Sequence, residues 1–326
     1  MDIIIITPAP PGSRSGNRAT AERWARLLGD AGHSVTTVTE YSGGPCDVFI
    51  ALHAWRSHDA IQSFRRAWPE TPLIVVLTGT DIYHHQHAYP LPTRASMASA
   101  DVLIGLHHLV YEDIPEEFRS KLVTVYQSAD TLERTGPESD SGEFRVCVIG
   151  HLRDEKDSLR AARAARLLPP ESRVRILGAG KPHNKEWQTR TEHETAENER
   201  FQWLGELDRE RTAQLLQSSH AMVISSIMEG GANVVSEACR AGLPILASDI
   251  PGNRGLLGDG YQGYFPPGDE VVLAELLVRV ESDPAFLATL THQVANLAPR
   301  FTPEREQAGL AQALELAIQR RTEHEG

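Results

Sequence analysis

The apolar positions of the chain follow two alternating rhythms. Short continuous apolar runs, bounded by Gly, Pro, Asn, Asp or Ser, fall at residues 3–7, 34–39, 48–52, 73–77, 102–106 and 122–126. Runs of this kind predict strands buried on both faces, as in a parallel sheet. Segments with helical spacing lie between most of them. In the first, Trp24, Leu27, Leu28 and Ala31 form one apolar stripe, and Gly32 is placed to end the helix in a left-handed turn. A polar stretch at 129–143, rich in Glu, Ser, Thr, Gly, Pro and Asp, predicts a domain linker. The grammar then restarts. Strands are predicted at 145–149, 174–177, 201–204, 221–225 and 244–247, and helices at 158–168, 209–218, 232–241 and 271–281. Residues 181–200 predict a solvated helix or loop. The tail at 303–320 has helical spacing and is expected to pack back across the domain junction.

Strands alternating with helices imply parallel βαβ units. The expected organisation is a Rossmann-like domain over 1–128, a linker over 129–143, a second Rossmann-like domain over 144–300 and a closing helix within 301–326. In doubly wound α/β sheets, ligands bind beyond the carboxyl ends of the strands. Two such domains facing each other enclose a cleft for two substrates.

Bulk composition narrows the function. A chain of 326 residues suits two domains. No apolar run approaches the roughly 20 residues of a membrane helix. The opening apolar run is short and follows Asp2 rather than a positive charge, so the chain is expected to stay in the cytoplasm without stable membrane association. Cys46, Cys147 and Cys239 lack metal-ligand spacing and read as reduced thiols, the last two as core residues. A net charge of −12 argues against nucleic acid as a partner. An anionic substrate would need a local cationic pocket, for which Arg14 with Arg18, and Arg153 with Lys156, are the candidates.

The densest chemistry lies between Ser225 and Ala241. A predicted strand ends, a loop carries Glu229, Gly230 and Gly231, and a helix begins near Ala232, Asn233 and Val234. The first N–H groups of a helix lack internal partners and favour an anion. The two glycines allow a pyrophosphate close to the backbone. Glu229 can accept from sugar hydroxyls, and Glu237 can hold both hydroxyls of a ribose. The alternative for both is a surface carboxylate near a helix start.

Glu229 and Glu237, followed by Ala241-Gly242-Leu243-Pro244, Ser248-Asp249-Ile250-Pro251-Gly252 and Phe265-Pro266-Pro267-Gly268-Asp269, resemble the retaining family 4 glycosyltransferases of GT-B fold. The resemblance implies a nucleotide-diphosphate sugar donor, with Glu229 at the sugar and Glu237 at the ribose. It implies no cofactor and no obligatory metal. The second domain of that family opens with Gly-Arg-Leu-x-x-x-Lys, whose Arg and Lys bind the diphosphate. Here Lys156 matches, but His151 replaces the Arg, and Arg153 two residues on can supply the charge.

Three further segments resemble a subgroup, the selenosugar synthases of selenoneine biosynthesis. They are Pro11-Gly12-Ser13-Arg14-Ser15-Gly16-Asn17-Arg18, Leu77-Thr78-Gly79-Thr80-Asp81, and Gly150-His151-Leu152-Arg153 beside the Glu229 loop. That resemblance implies selenophosphate as acceptor and a UDP-sugar, typically UDP-N-acetylglucosamine, as donor. Arg14 and Arg18, with Ser13 and Asn17, flank a Gly-rich loop at a helix start and either hold the acceptor's phosphoryl group or are ordinary surface cations, and Gly16 approaches the donor. Thr80, Asp81 and His53 follow strands. Asp81 either orients a substrate or caps a turn, and His53 either lines the cleft or is structural. Selenophosphate is already a soft anionic nucleophile and needs orientation more than deprotonation. The His84-His85-Gln86-His87 run is not expected to bind metal, because neighbouring histidines point apart. Other readings are an O-glycosyltransferase on a sugar, lipid or small-molecule hydroxyl, a nucleotide-sugar epimerase or hydrolase, and a non-catalytic sugar-nucleotide sensor.

Overall fold

The computed structural model describes residues 1–134 and 142–324. Half of the predicted linker, residues 135–141, lies outside the described residues. The chain forms two compact units. The first holds Met1–Ser128, Glu229–Ala232 and the chain from Thr302 onward, and the second holds Ala129–Met228 and Asn233–Phe301.

In the first unit, six parallel strands are β1 (Asp2–Ile6), β2 (Ser34–Val38), β3 (Val48–Leu52), β4 (Leu73–Val76), β5 (Val102–Gly105) and β6 (Leu122–Thr124). Their order is β2-β1-β3-β4-β5-β6. Alternate residues feed two cores. Ile50, Leu52, Ile74 and Val76 meet Trp24, Leu28, Leu310 and Leu314 on one face. Phe49, Ala51, Leu73 and Val75 meet Ile61, Phe64 and Met97 on the other. Helices therefore cover both faces, which is why the strands read as unbroken apolar runs.

The helix Gly16–Asp30 begins where the Ser15 hydroxyl accepts from the Arg18 N–H at 3.3 Å. It ends as the position of Gly32 predicts. His33 N–H donates to Leu28 O at 3.0 Å and Gly32 N–H to Gly29 O at 2.9 Å, with Gly32 at φ 89°. The helix Pro303–His324 joins this unit through Glu306. Its buried carboxylate accepts from Arg23 Nε at 2.8 Å, Trp24 Nε1 at 2.7 Å and Ser128 N at 2.9 Å.

The second unit repeats the grammar in a different order. Its parallel strands are β7 (Phe144–Ile149), β8 (Val174–Ala179), β9 (Phe201–Trp203), β10 (Ala221–Ile224), β11 (Ile245–Ser248) and β12 (Tyr264–Phe265), arranged β12-β11-β10-β7-β8-β9. The sequence does not predict β12, because two residues carry no period. The open choice at 181–200 resolves as a helix, Lys185–Glu197, started by the Asn184 side chain accepting from Trp187 N–H at 2.9 Å. The helix predicted at 158–168 contracts to Arg160–Ala165. Beyond it, Arg166 N–H and Leu167 N–H tighten onto Arg163 O and Ala164 O, three residues back. Cys147 and Cys239 are fully buried, and burial pushes both thiols up, Cys147 to about 12, so they stay protonated. Among the described residues, no helix is long and apolar enough to cross a membrane.

Candidate active site

Each sheet has one point where the strand order reverses direction. In the first it lies between β1 and β3, and in the second between β7 and β10. Loops leaving the carboxyl ends of such strands diverge and leave a crevice. The candidate residues sit on these loops or on the one beside them.

In the first unit, Ser13, Arg14, Gly16, Asn17 and Arg18 follow β1, His53 follows β3, and Thr80 and Asp81 follow β4. Arg14 is exposed. The Arg18 side chain is only 12% exposed, with Nε 2.6 Å from Glu22 Oε1. Its Nη1 is enclosed and has no hydrogen-bond partner.

Asp81 is fully buried and faces its own loops. Oδ1 accepts from Trp55 N–H at 3.0 Å and lies 2.7 Å from His53 Nδ1. Oδ2 accepts from Ala54 N–H at 3.0 Å and from the Thr78 N–H and hydroxyl, each at 2.9 Å. Burial alone would raise its carboxyl. The bond and charge of His53, with the Thr78 and Trp55 N–H groups, bring it below the usual range. Of the two roles open to Asp81 in the sequence, the geometry favours bracing. Thr78, Trp55 and His53 all turn on it, so its influence on a sugar or an acceptor passes through them. His53 is likewise enclosed, 2% exposed, with Nε2 3.2 Å from Thr80 Oγ1. Its φ of 74° is a left-handed conformation that a non-glycine residue adopts at a cost on the order of 1–3 kcal/mol.

The segment Glu229–Ala232 belongs by its contacts to this unit, and Glu229 is buried. A Cβ on Gly230 would overlap the backbone of Gly79, and one on Gly79 would overlap Gly230. A Cβ on Gly231 would come within 2.6 Å of Leu106 Cβ. Backbone packing thus gives these glycines a reason of their own, besides the pyrophosphate approach expected from sequence.

In the second unit, His151, Arg153 and Lys156 lie after β7, with Lys156 closing the short 3₁₀ turn Asp154–Lys156. Asn233, Val234 and Glu237 lie on the helix Asn233–Ala241 after β10. The two loops are tied together. Ser225 Oγ donates to Lys156 O at 3.2 Å and Asp157 O at 3.0 Å, and Ile227 N–H donates to Glu155 O at 2.9 Å. Lys156 and Glu237 are half-buried. Arg153 Nε is 3.8 Å from Glu155 Oε2, both side chains 38% exposed.

His85 stands beside His53 and Asp81 in the structure. It is buried on the π-helical turn Asp81–His85, its ring stacked on Trp55 with centroids 4.2 Å apart. One ligand atom each from His53, Asp81 and His85 lies within 4.8 Å of the others, the group among the described residues suited to a metal. The rings of His84 and His85 meet edge to face with centroids 5.0 Å apart, and the second histidine of the buried group, His53, comes from a different strand end.

Two six-stranded parallel sheets, each with its polar loops at the carboxyl edge beside a reversal of strand order, make up the GT-B glycosyltransferase fold. The family follows from a direct match. The chain belongs to the glycosyl transferases group 1, whose profile matches residues 129–296, just over half its length. No curated relative matches the chain by sequence. Among solved structures, it is similar to HepE of Anabaena in complex with UDP-glucose, with TM-score 0.78 and 16% identity over 97% of this chain and 99% of that one. It is similar to sucrose-phosphate synthase of Thermosynechococcus elongatus, with TM-score 0.76 and 16% identity over 95% and 97% of the two chains. The pneumococcal O-GlcNAc transferase GtfA, in complex with UDP and GlcNAc, gives TM-score 0.64 and 18% identity over 83% of this chain and 57% of that one. At these identities the likeness is one of fold.

Proposed function

We propose that this glycosyltransferase joins selenophosphate to a UDP-sugar, with UDP-N-acetylglucosamine as the favoured donor, in the cytoplasm. Selenium attacks the anomeric carbon as the bond to UDP breaks and its electron pair leaves with the diphosphate. Water then takes the phosphoryl group, giving a selenosugar and phosphate. The observation that carries the acceptor assignment is the Arg18 guanidinium beside the first-helix N-terminus, with an enclosed Nη1 that makes no hydrogen bond. A guanidinium and helix N–H groups together suit a phosphoryl group. Arg14, Ser13 and Asn17 complete this acceptor site in the first unit, with Thr80 and His53 behind it, oriented by Asp81.

The second unit is the donor domain in this proposal. Lys156, Arg153 and His151 hold the diphosphate, Asn233 and Val234 offer helix N–H groups, and Glu237 holds the ribose. Glu229 with Gly230, Gly231 and Ala232 serves the sugar end, and Gly16 approaches the donor. The UDP-glucose in HepE and the UDP and GlcNAc in GtfA support a UDP-sugar donor. O-glycosyl transfer is the second reading, favoured by the name of the GtfA structure.

Mass spectrometry of products from a UDP-sugar panel with selenophosphate tests the proposal. A selenosugar with release of UDP and phosphate is expected. Product from hydroxyl acceptors alone would leave a general glycosyltransferase. Replacing Arg14 and Arg18 together with Ala is expected to damage acceptor use and leave UDP affinity nearly intact. A parallel loss of both would move that loop to the donor site.

A further inference from the structure

We infer that His53, Asp81 and His85 form a binding site for a divalent transition-metal ion, with Zn²⁺ the favoured occupant. The three come from two strand ends. His53 follows β3, while Asp81 and His85 open and close a single π-helical turn after β4. That turn sets residues four apart nearly one above the other, and single π-turns recur at functional sites. All three residues are buried, and their ligand atoms already lie within 4.8 Å of one another.

A second observation points to an occupant. His85 is 7% exposed, yet its Nδ1 has no hydrogen-bond partner. An orphaned buried nitrogen is costly, and an ion would remove that cost. The N–H groups of Ala54, Trp55 and Thr78 fix the Asp81 carboxylate, and Trp55 fixes the plane of the His85 ring. Metal-ligating carboxylates and imidazoles are commonly oriented in this way. Two imidazoles and one carboxylate suit Zn²⁺, and they disfavour Ca²⁺ and Mg²⁺, which prefer all-oxygen sites. The rival is a His53–Asp81 brace that holds no ion.

The test is metal content and Zn²⁺ calorimetry on the full chain without a histidine tag, with folding checked by circular dichroism. One tightly held equivalent per chain is expected. His85→Gln, which leaves the Asp81 brace in place, is expected to weaken binding at least tenfold. Replacing the exposed His84 and His87 together with Ala is expected to leave it unchanged. Co²⁺ in place of Zn²⁺ is expected to give visible absorption that His85→Gln abolishes. No stoichiometric uptake by the wild type, full uptake by folded His85→Gln, or loss on replacing His84 and His87 would each overturn the assignment. These readouts do not depend on which acceptor the transferase uses.

Discussion

The two units share a grammar but treat charge in opposite ways. Among the described residues, the buried carboxylates Asp81, Asp101, Glu229 and Glu306 all belong to the first unit. Asp81, Asp101 and Glu306 are each held by several donors. Asp101 meets Arg65 at 2.8 Å, Arg321 at 2.7 Å and Leu73 N–H at 2.8 Å. Most ion pairs of the second unit lie nearer to water, with Arg160 and Asp157, 13% and 14% exposed, the exception. Arg254 and Asp249 are 40% and 33% exposed, and Arg166 and Glu194 are 41% and 13% exposed. Breaking a buried pair leaves a stranded charge, whereas exposed pairs contribute little and are screened by salt. The buried carboxylates of the first unit are therefore costly to disturb, whereas the exposed pairs of the second cost little to break.

The sharpest way to break this contrast is Glu306→Ala. It strands the Arg23 guanidinium, the Trp24 N–H and the Ser128 N–H in the interior. A destabilisation of about 3–5 kcal/mol is expected in denaturant unfolding. Asp249→Ala, on the exposed pair with Arg254, is expected to lose less than about 1 kcal/mol. Equal losses would end the distinction between the units.

The second test uses pH. His107 is fully buried after β5, with Nε2 3.4 Å from the Tyr83 hydroxyl. Burial, then the charge of His108, lowers its pKa from 6.5 to about 4. The unfolded chain takes up the proton first as pH falls. The stability tied to neutral His107 is thus whole above pH 6.5 and is lost between 6.5 and about 4, a loss on the order of 3 kcal/mol. His107→Leu should lessen the slope of the stability profile across that window. An unchanged slope would assign the loss to other groups.

What was legible in the sequence has a physical pattern. The unbroken apolar runs at β3, β4 and β10 announce strands covered on both faces, and Gly32 announces its helix end. Strand order was not legible. Both halves alternate in the same way, yet one reverses after its second strand and the other after its third. Nor could spacing reveal that Asp81 gathers N–H groups from Ala54 and Trp55, 27 and 26 residues away. Such convergence is set by how strand ends align, and local periodicity does not record it. Lys156, on a short turn, and Glu237, inside a helix, are candidates because the resemblance marks them, while His85 matches no motif.

Turning to the second unit, Glu237→Ala removes a half-buried carboxylate proposed to take two ribose hydroxyls. A loss on the order of 1.5–3 kcal/mol in UDP binding is expected by calorimetry. Folding should be unaffected, in contrast to Glu306→Ala. Unchanged UDP affinity in a folded variant would take Glu237 out of the ribose site.

The smallest effect on stability, and the finest test of the contrast, is expected for Arg153→Ala. Its Nε lies 3.8 Å from Glu155 Oε2, longer than a hydrogen bond, and both side chains are 38% exposed. Removing such a pair should change unfolding by less than about 1 kcal/mol. If Arg153 supplies the charge that His151 does not, turnover should still suffer. Negative charge grows on the diphosphate as the sugar–oxygen bond breaks, so a cation there stabilises the transition state more than the bound donor. A drop in kcat of about tenfold, equivalent to about 1.4 kcal/mol, with little change in donor KM is the expected signature. Lys156→Ala should show the same signature more strongly, because Lys156 is half-buried on the turn tied to Ser225. Wild-type turnover in Arg153→Ala would return the missing charge to His151, or leave the diphosphate to Lys156 and the helix N–H groups alone. A large loss of stability would instead show that the second unit also builds its charges into its frame.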